Sequence, residues 1–219
     1  MDKRTETAGY APKIKICGLC RPEDIRYVNE ARPDYCGFVI GVPQSRRNVT
    51  EEQLCALRFK LAEGIVPVGV FVDAPPELAA RLLEDRVIDI AQLHGQEDGD
   101  YIRRLRELTE RPLIQAFSIS AKSDIDRAFS SSADIILLDN GRGGTGKRFD
   151  WTFLEEWLEE HRAPKPYVLA GGLDSANIPE AVIRYRPWAV DMSSSVETDG
   201  KKDREKILAA VAAVRSMRK

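Results

Sequence analysis

Short apolar runs recur along this chain at Ile14 to Cys17, Tyr35 to Ile40, Val66 to Val72, Ile88 to Leu93, Leu113 to Phe117, Ile135 to Leu138, Tyr167 to Ala170 and Ala189 to Met192. They are partly β-branched and apolar on both faces, the pattern of strands buried in a parallel sheet. Between them, apolar residues return at helical spacing in Glu51 to Glu63, Pro75 to Asp85, Asp98 to Glu110, Trp151 to His161 and Arg204 to Met217. Arg21-Pro22-Glu23-Asp24 reads as a further helix start, with proline in the first turn. The eight strand-and-helix units predict an α/β fold: a single-domain (β/α)8 barrel of the TIM type, with a closed parallel eight-stranded sheet over residues 13–219. Residues 1–12 read as a flexible N-terminal extension. No Gly-x-Gly-x-x-Gly follows the first strand, which removes the main support for an open dinucleotide-binding sheet.

Composition narrows the class. The 219 residues suffice for one sizeable core. A formal net charge of -2 gives no basic footprint for nucleic acid, so an anionic ligand must be held by local groups. No apolar stretch approaches the roughly 18 residues that span a bilayer, and the start Met-Asp-Lys-Arg-Thr-Glu is too polar for a secretory signal. The expected location is cytoplasmic, without a membrane partner. Cys36 and Cys55 read as buried thiols. Cys17 and Cys20 form a C-x-x-C spacing, which points either to a redox dithiol or to half of a zinc site. No second such pair exists, and His94 and His161 lie far apart in sequence, so no metal is expected.

A barrel gathers its chemistry on the loops that follow the strands. Cys17 ends the first strand and is a candidate base or nucleophile. Asp139 closes the run Ile-Ile-Leu-Leu, where an apolar setting should raise a carboxyl toward the range of a general acid. Arg47, after the second strand, has the planar fork that suits a carboxylate. His94 follows the fourth strand and serves either as a site residue or as a histidine satisfying a loop carbonyl. Gly143-Gly144-Thr145-Gly146, Gly171-Gly172 and Asp191 to Ser195 follow the last three strands. Loops there commonly cradle phosphate through backbone N–H groups, although glycine pairs are also plain turns. Ser194-Ser195-Val196-Glu197 has the spacing of a capping box that would begin a helix.

In this order, Lys15-Ile16-Cys17-Gly18-Leu19, Ser45-Arg46-Arg47-Asn48-Val49, Gln92-Leu93-His94-Gly95, Leu137-Leu138-Asp139, Gly143-Gly144-Thr145-Gly146-Lys147, Leu169-Ala170-Gly171-Gly172-Leu173 and Val190-Asp191-Met192-Ser193-Ser194-Ser195-Val196-Glu197 closely resemble the phosphoribosylanthranilate isomerase family. The resemblance runs from about Lys13 onward. It implies an Amadori rearrangement of N-(5-phosphoribosyl)anthranilate in tryptophan biosynthesis, by acid and base groups without cofactor or metal. It makes Asp139 the acid and Cys17 the base, gives Arg47 the anthranilate carboxylate, and gives Gly144, Gly171, Gly172, Ser193 and Ser194 the phosphate. His94 and Asp191 complete the expected substrate contacts. The expected partner is a small phosphorylated substrate, and the expected assembly a monomer or homodimer.

Two positions depart from the family pattern: Cys20 stands where threonine is expected, and Ser195 where glycine is expected. The first raises the expectation that oxidation reversibly silences the enzyme through a Cys17–Cys20 bond. The second raises the expectation of an altered phosphate loop, since serine resists positive φ. The rival readings are a barrel isomerase for another phosphorylated aminosugar, a barrel that binds a phosphorylated ligand without turnover, and a thiol-disulfide protein.

Overall fold

The computed structural model describes residues 10–140 and 150–218. Eight parallel strands form the barrel: β1 (Lys13–Cys17), β2 (Tyr35–Ile40), β3 (Val66–Phe71), β4 (Ile90–Leu93), β5 (Leu113–Ser118), β6 (Ile135–Asp139), β7 (Tyr167–Leu169) and β8 (Ala189–Met192). Each is followed by a helix: α1 (Pro22–Ala31), α2 (Glu51–Phe59), α3 (Pro76–Glu84), α4 (Gly99–Leu108), α5 (Lys122–Phe129), α6 (Thr152–Glu160), α7 (Ile178–Tyr185) and α8 (Arg204–Arg215). Closure comes from β1, which pairs with β2 on one side and with β8 on the other, aligning Lys15 with Tyr35 and with Asp191.

Strand alternation divides the core in two. Side chains such as Val68, Ile90, Ile114, Leu137 and Val168 fill the barrel interior, while Ile14, Ile16, Phe38, Leu93 and Leu138 pack outward under the helices. Full burial of each such aliphatic side chain contributes about 1.5–3 kcal/mol, which is why the strands read as continuous apolar runs. Capping side chains mark the helix starts: Thr50 accepts from the Gln53 N–H, Asp98 from that of Tyr101 and Asp203 from that of Lys206. None of the helices among the described residues is long and apolar enough to cross a membrane.

Two expectations need correction here. Residues 10–12 are not a loose extension, because the Tyr10 hydroxyl donates to the Pro187 carbonyl at 2.6 Å and the ring lies under the Arg186 guanidinium. Cys55 is exposed, since it falls on the solvent side of α2 while Leu54 and Leu57 face the core.

Candidate active site

Lys15 and Cys17 share the inward face of β1. Lys15 stands opposite Asp191 of β8, and the Nζ donates to Asp191 Oδ2 at 2.9 Å with the two side chains 2% and 9% exposed. The Cys17 thiol converges on the same spot, and Gly37 of β2 makes the room. A Cβ at position 37 would stand 2.7 Å from Cys17 Sγ and 3.2 Å from Lys15 Cε. Burial pushes the Cys17 thiol up, against the pull of the neighbouring Lys15 ammonium. Burial also disfavours the charge on Lys15, but Asp191 outweighs it and the ammonium titrates above its ordinary range.

Asp139 ends β6 on the same mouth, nearly buried, with Oδ1 accepting from the Asn140 N–H at 2.7 Å. Desolvation raises its carboxyl above the ordinary value. His94, just past β4, places Nε2 at 3.8 Å from Asp139 Oδ2. The Gln92 amide meets His94 Nδ1 at 2.9 Å, so an amide donor there puts the ring proton on Nε2, facing Asp139. Burial keeps His94 below its ordinary value, and the imidazole is therefore neutral near pH 7. Burial thus biases the histidine toward its neutral form and the neighbouring carboxyl toward its protonated form, a pairing suited to acid catalysis.

Arg47 reaches the mouth from the loop after β2. The loop is pinned where Asn48 and Val49 pair in parallel with Val39 and Ile40. The Arg47 stem runs over Gly18, whose missing Cβ would lie 2.4 Å from Arg47 Cδ and 3.3 Å from Ser193 Oγ. Gly171 and Gly172 have φ of +79° and +70°, the left-handed backbone that a side chain resists. They line a cleft with Asp139, Asp191, Ser193, Ser194 and Ser195. Asp191 Oδ1 is buried there with no hydrogen-bond partner among the described residues, so the carboxylate retains an acceptor for a ligand hydroxyl. Gly144, also expected at this mouth, lies outside the described residues.

Cys17 and Cys20 are free thiols: Cys17 faces the barrel interior, whereas Cys20 packs against the layer between barrel and helices. Two expectations change. Ser195 sits in a one-turn 3₁₀ helix, Ser194–Val196, and is not among the positive-φ residues, so serine there carries no backbone strain. Glu197 does not close a capping box. It bonds Arg47 instead, through Nε at 2.7 Å and Nη2 at 3.0 Å. Lys15, Gln92, Glu197 and Lys202 were not singled out from the residues as site groups. A lysine inside an apolar strand was the visible signal for Lys15, and the Asp199-Gly200 dipeptide was the signal for the turn that sets Glu197 against Lys202. Among the described residues, no three His, Cys, Asp or Glu side chains gather as metal ligands.

A family model described as N-(5'phosphoribosyl)anthranilate (PRA) isomerase matches residues 14–213. The N-(5'-phosphoribosyl)anthranilate isomerase of Endomicrobium trichonymphae is 43% identical over 213 residues, spanning 94% of this chain and 100% of its own. The crystal structure of phosphoribosyl anthranilate isomerase from Thermus thermophilus matches with a TM-score of 0.81 at 34% identity, covering 94% of this chain and 100% of that one. A phosphoribosyl anthranilate isomerase solved in complex with reduced 1-(o-carboxyphenylamino)-1-deoxyribulose 5-phosphate matches with a TM-score of 0.79 at 31% identity, covering 94% and 99%.

Proposed function

The chain belongs to the phosphoribosylanthranilate isomerase family, and we propose that Asp139 and Cys17 are the acid and base of its reaction. The enzyme catalyses the Amadori rearrangement of N-(5-phosphoribosyl)anthranilate to 1-(2-carboxyphenylamino)-1-deoxyribulose 5-phosphate, a step of tryptophan biosynthesis. Asp139, whose burial favours the protonated carboxyl, donates to the furanose ring oxygen. The C1–O bond breaks as the nitrogen lone pair forms an iminium at C1. That cation acidifies the neighbouring C2 proton, which Cys17 removes as thiolate to give the enolamine. The enolamine then tautomerises to the ketone. The order is fixed by chemistry, because a thiol raised by burial needs the acidified proton and the adjacent Lys15 ammonium.

The remaining groups position the substrate. Arg47 takes the anthranilate carboxylate, and Gly144, Gly171, Gly172, Ser193 and Ser194 take the phosphate. Asp191 Oδ1 accepts a ribose hydroxyl. His94 orients the Asp139 carboxyl. The observation that best supports this reading is the convergence of a thiol beside an ammonium and a buried carboxyl from β1 and β6 on one mouth. Substrate carrying deuterium at ribose C2 tests it. The wild type is expected to release the label to solvent, and Cys17→Ser to show a much slower release. Release at an unchanged rate by that variant would remove Cys17 from the role.

A further inference from the structure

Glu197 takes no part in the acid and base chemistry, yet its side chain is only 4% exposed and gathers three cations. Besides the two bonds from Arg47, Arg46 Nη2 donates to it at 2.5 Å and Lys202 Nζ at 2.8 Å. A two-stranded antiparallel hairpin sets this up, pairing Glu197 with Lys202 and Thr198 with Lys201. Its turn residues Asp199 and Gly200 have φ of +51° and +74°, the pattern of a type I′ turn. A Cβ on Gly200 would meet Arg46 Nη1 at 2.7 Å, so the glycine also admits the second guanidinium.

The hairpin links both halves of the mouth. Lys202 Nζ donates to the Ser193 carbonyl at 2.8 Å, and Ser193 Oγ donates to the Cys17 carbonyl at 3.1 Å. The fork on Glu197 engages Nε and Nη2 of Arg47 and leaves the Nη1 donors outside it. One carboxylate among three cations leaves the cluster positive, and a half-buried cationic cluster favours an anion from the ligand.

We propose that Glu197 is a positioning residue that holds the Arg47 guanidinium at the angle needed for the substrate's arylcarboxylate, with the Asp199-Gly200 hairpin and Lys202 fixing Glu197 in turn. This rests on the reading of Arg47 as the carboxylate contact. A flexible arginine tip would have to be ordered at each binding event, whereas a bidentate buried partner orders it beforehand. The effect therefore falls on binding of the carboxylated substrate and not on the chemical step.

The test compares N-(5-phosphoribosyl)anthranilate with N-(5-phosphoribosyl)aniline, which lacks the carboxylate, following product formation by chromatography. Glu197→Gln is expected to raise KM for the first by about tenfold or more with kcat nearly unchanged, and to leave KM for the second near that of wild type. Equal losses on both substrates, or no loss on either, would overturn the proposal. Arg47→Met separates the two levels: if it fails to discriminate the substrates, the reading of Arg47 itself falls. If Arg47→Met discriminates and Glu197→Gln does not, only the positioning role falls. Should Glu197→Gln not fold, the double variant Glu197→Gln/Arg46→Met removes an exposed cation with the carboxylate and is expected to show the same selectivity. Loss without selectivity there would equally overturn it.

Discussion

Replacing Gly37 with alanine tests the placement of the thiol without replacing any reacting group. Gly37 is the register partner of Cys17 across the β1 and β2 pairing. The added Cβ would stand 2.7 Å from Cys17 Sγ, 3.2 Å from Lys15 Cε and 3.3 Å from Cys17 Cα. Ordinary contact begins at 3.4 Å, so the sulfur must give way by about 0.7 Å. The Cys17 backbone is held by its pairing with Gly37 and by the Ser193 hydroxyl on its carbonyl, which leaves the thiol and the lysine stem to move. A misplacement on the order of 1 Å at a reacting group costs about 10²-fold in rate, and overpacking costs about 1–3 kcal/mol. For a chain of this size that is about 2–4 °C in Tm per kcal/mol. Following substrate fluorescence under reducing conditions, kcat is expected to fall about 10²-fold, with KM near that of wild type and a fold that still melts cooperatively. A Gly37→Ala enzyme with wild-type kcat would refute the idea that the thiol acts from this position.

Three further outcomes follow from the charges. Burial raises Asp139, and its acid role needs the proton, so the rate is expected to fall as pH climbs through that raised value and to lose this limb in the residual activity of Asp139→Asn. The same shift bears on stability. A carboxyl whose folded pKa lies above its unfolded value, ordinarily 3.8, contributes stability that is fully present below that value and lost as pH rises through the folded one. Asp139→Asn is accordingly expected to melt above wild type at about pH 8, with the gap closing by about pH 4; a lower Tm at the higher pH would count against it. Lys15→Met leaves the Asp191 carboxylate buried without its cation, a loss of about 3–5 kcal/mol in urea unfolding. Adding Asp191→Asn should recover most of it, and failure to recover would show that the two do not act as a pair.

Much of the barrel was legible because strands buried on both faces must be continuously apolar, and the eight runs fall on the eight strands. The places of Cys17 and Asp139 at the barrel mouth were legible for a related reason: each is a titratable residue that ends such a run. Lys15 was harder, since its partner lies 176 positions away and is chosen by the closure of β1 onto β8. Glu197 was misread because Ser-x-x-Glu spacing fits a helix start, but the chain makes only a short 3₁₀ turn there and enters a hairpin. Arg47 and Lys202 then offer the carboxylate stronger, charge-assisted partners than its own backbone. Cys55 and Tyr10 turned on which side of a helix or barrel end faced the core, which periodicity resolves poorly over a few residues.

The most direct measurement is single-turnover decay of substrate fluorescence when freshly made N-(5-phosphoribosyl)anthranilate meets wild type, Cys17→Ala and Asp139→Asn under reducing conditions. Wild type is expected to consume the substrate rapidly, and each folded variant to lose about 10²–10⁴-fold of that rate. Turnover close to wild type by either variant would contradict the assignment of acid and base to Asp139 and Cys17.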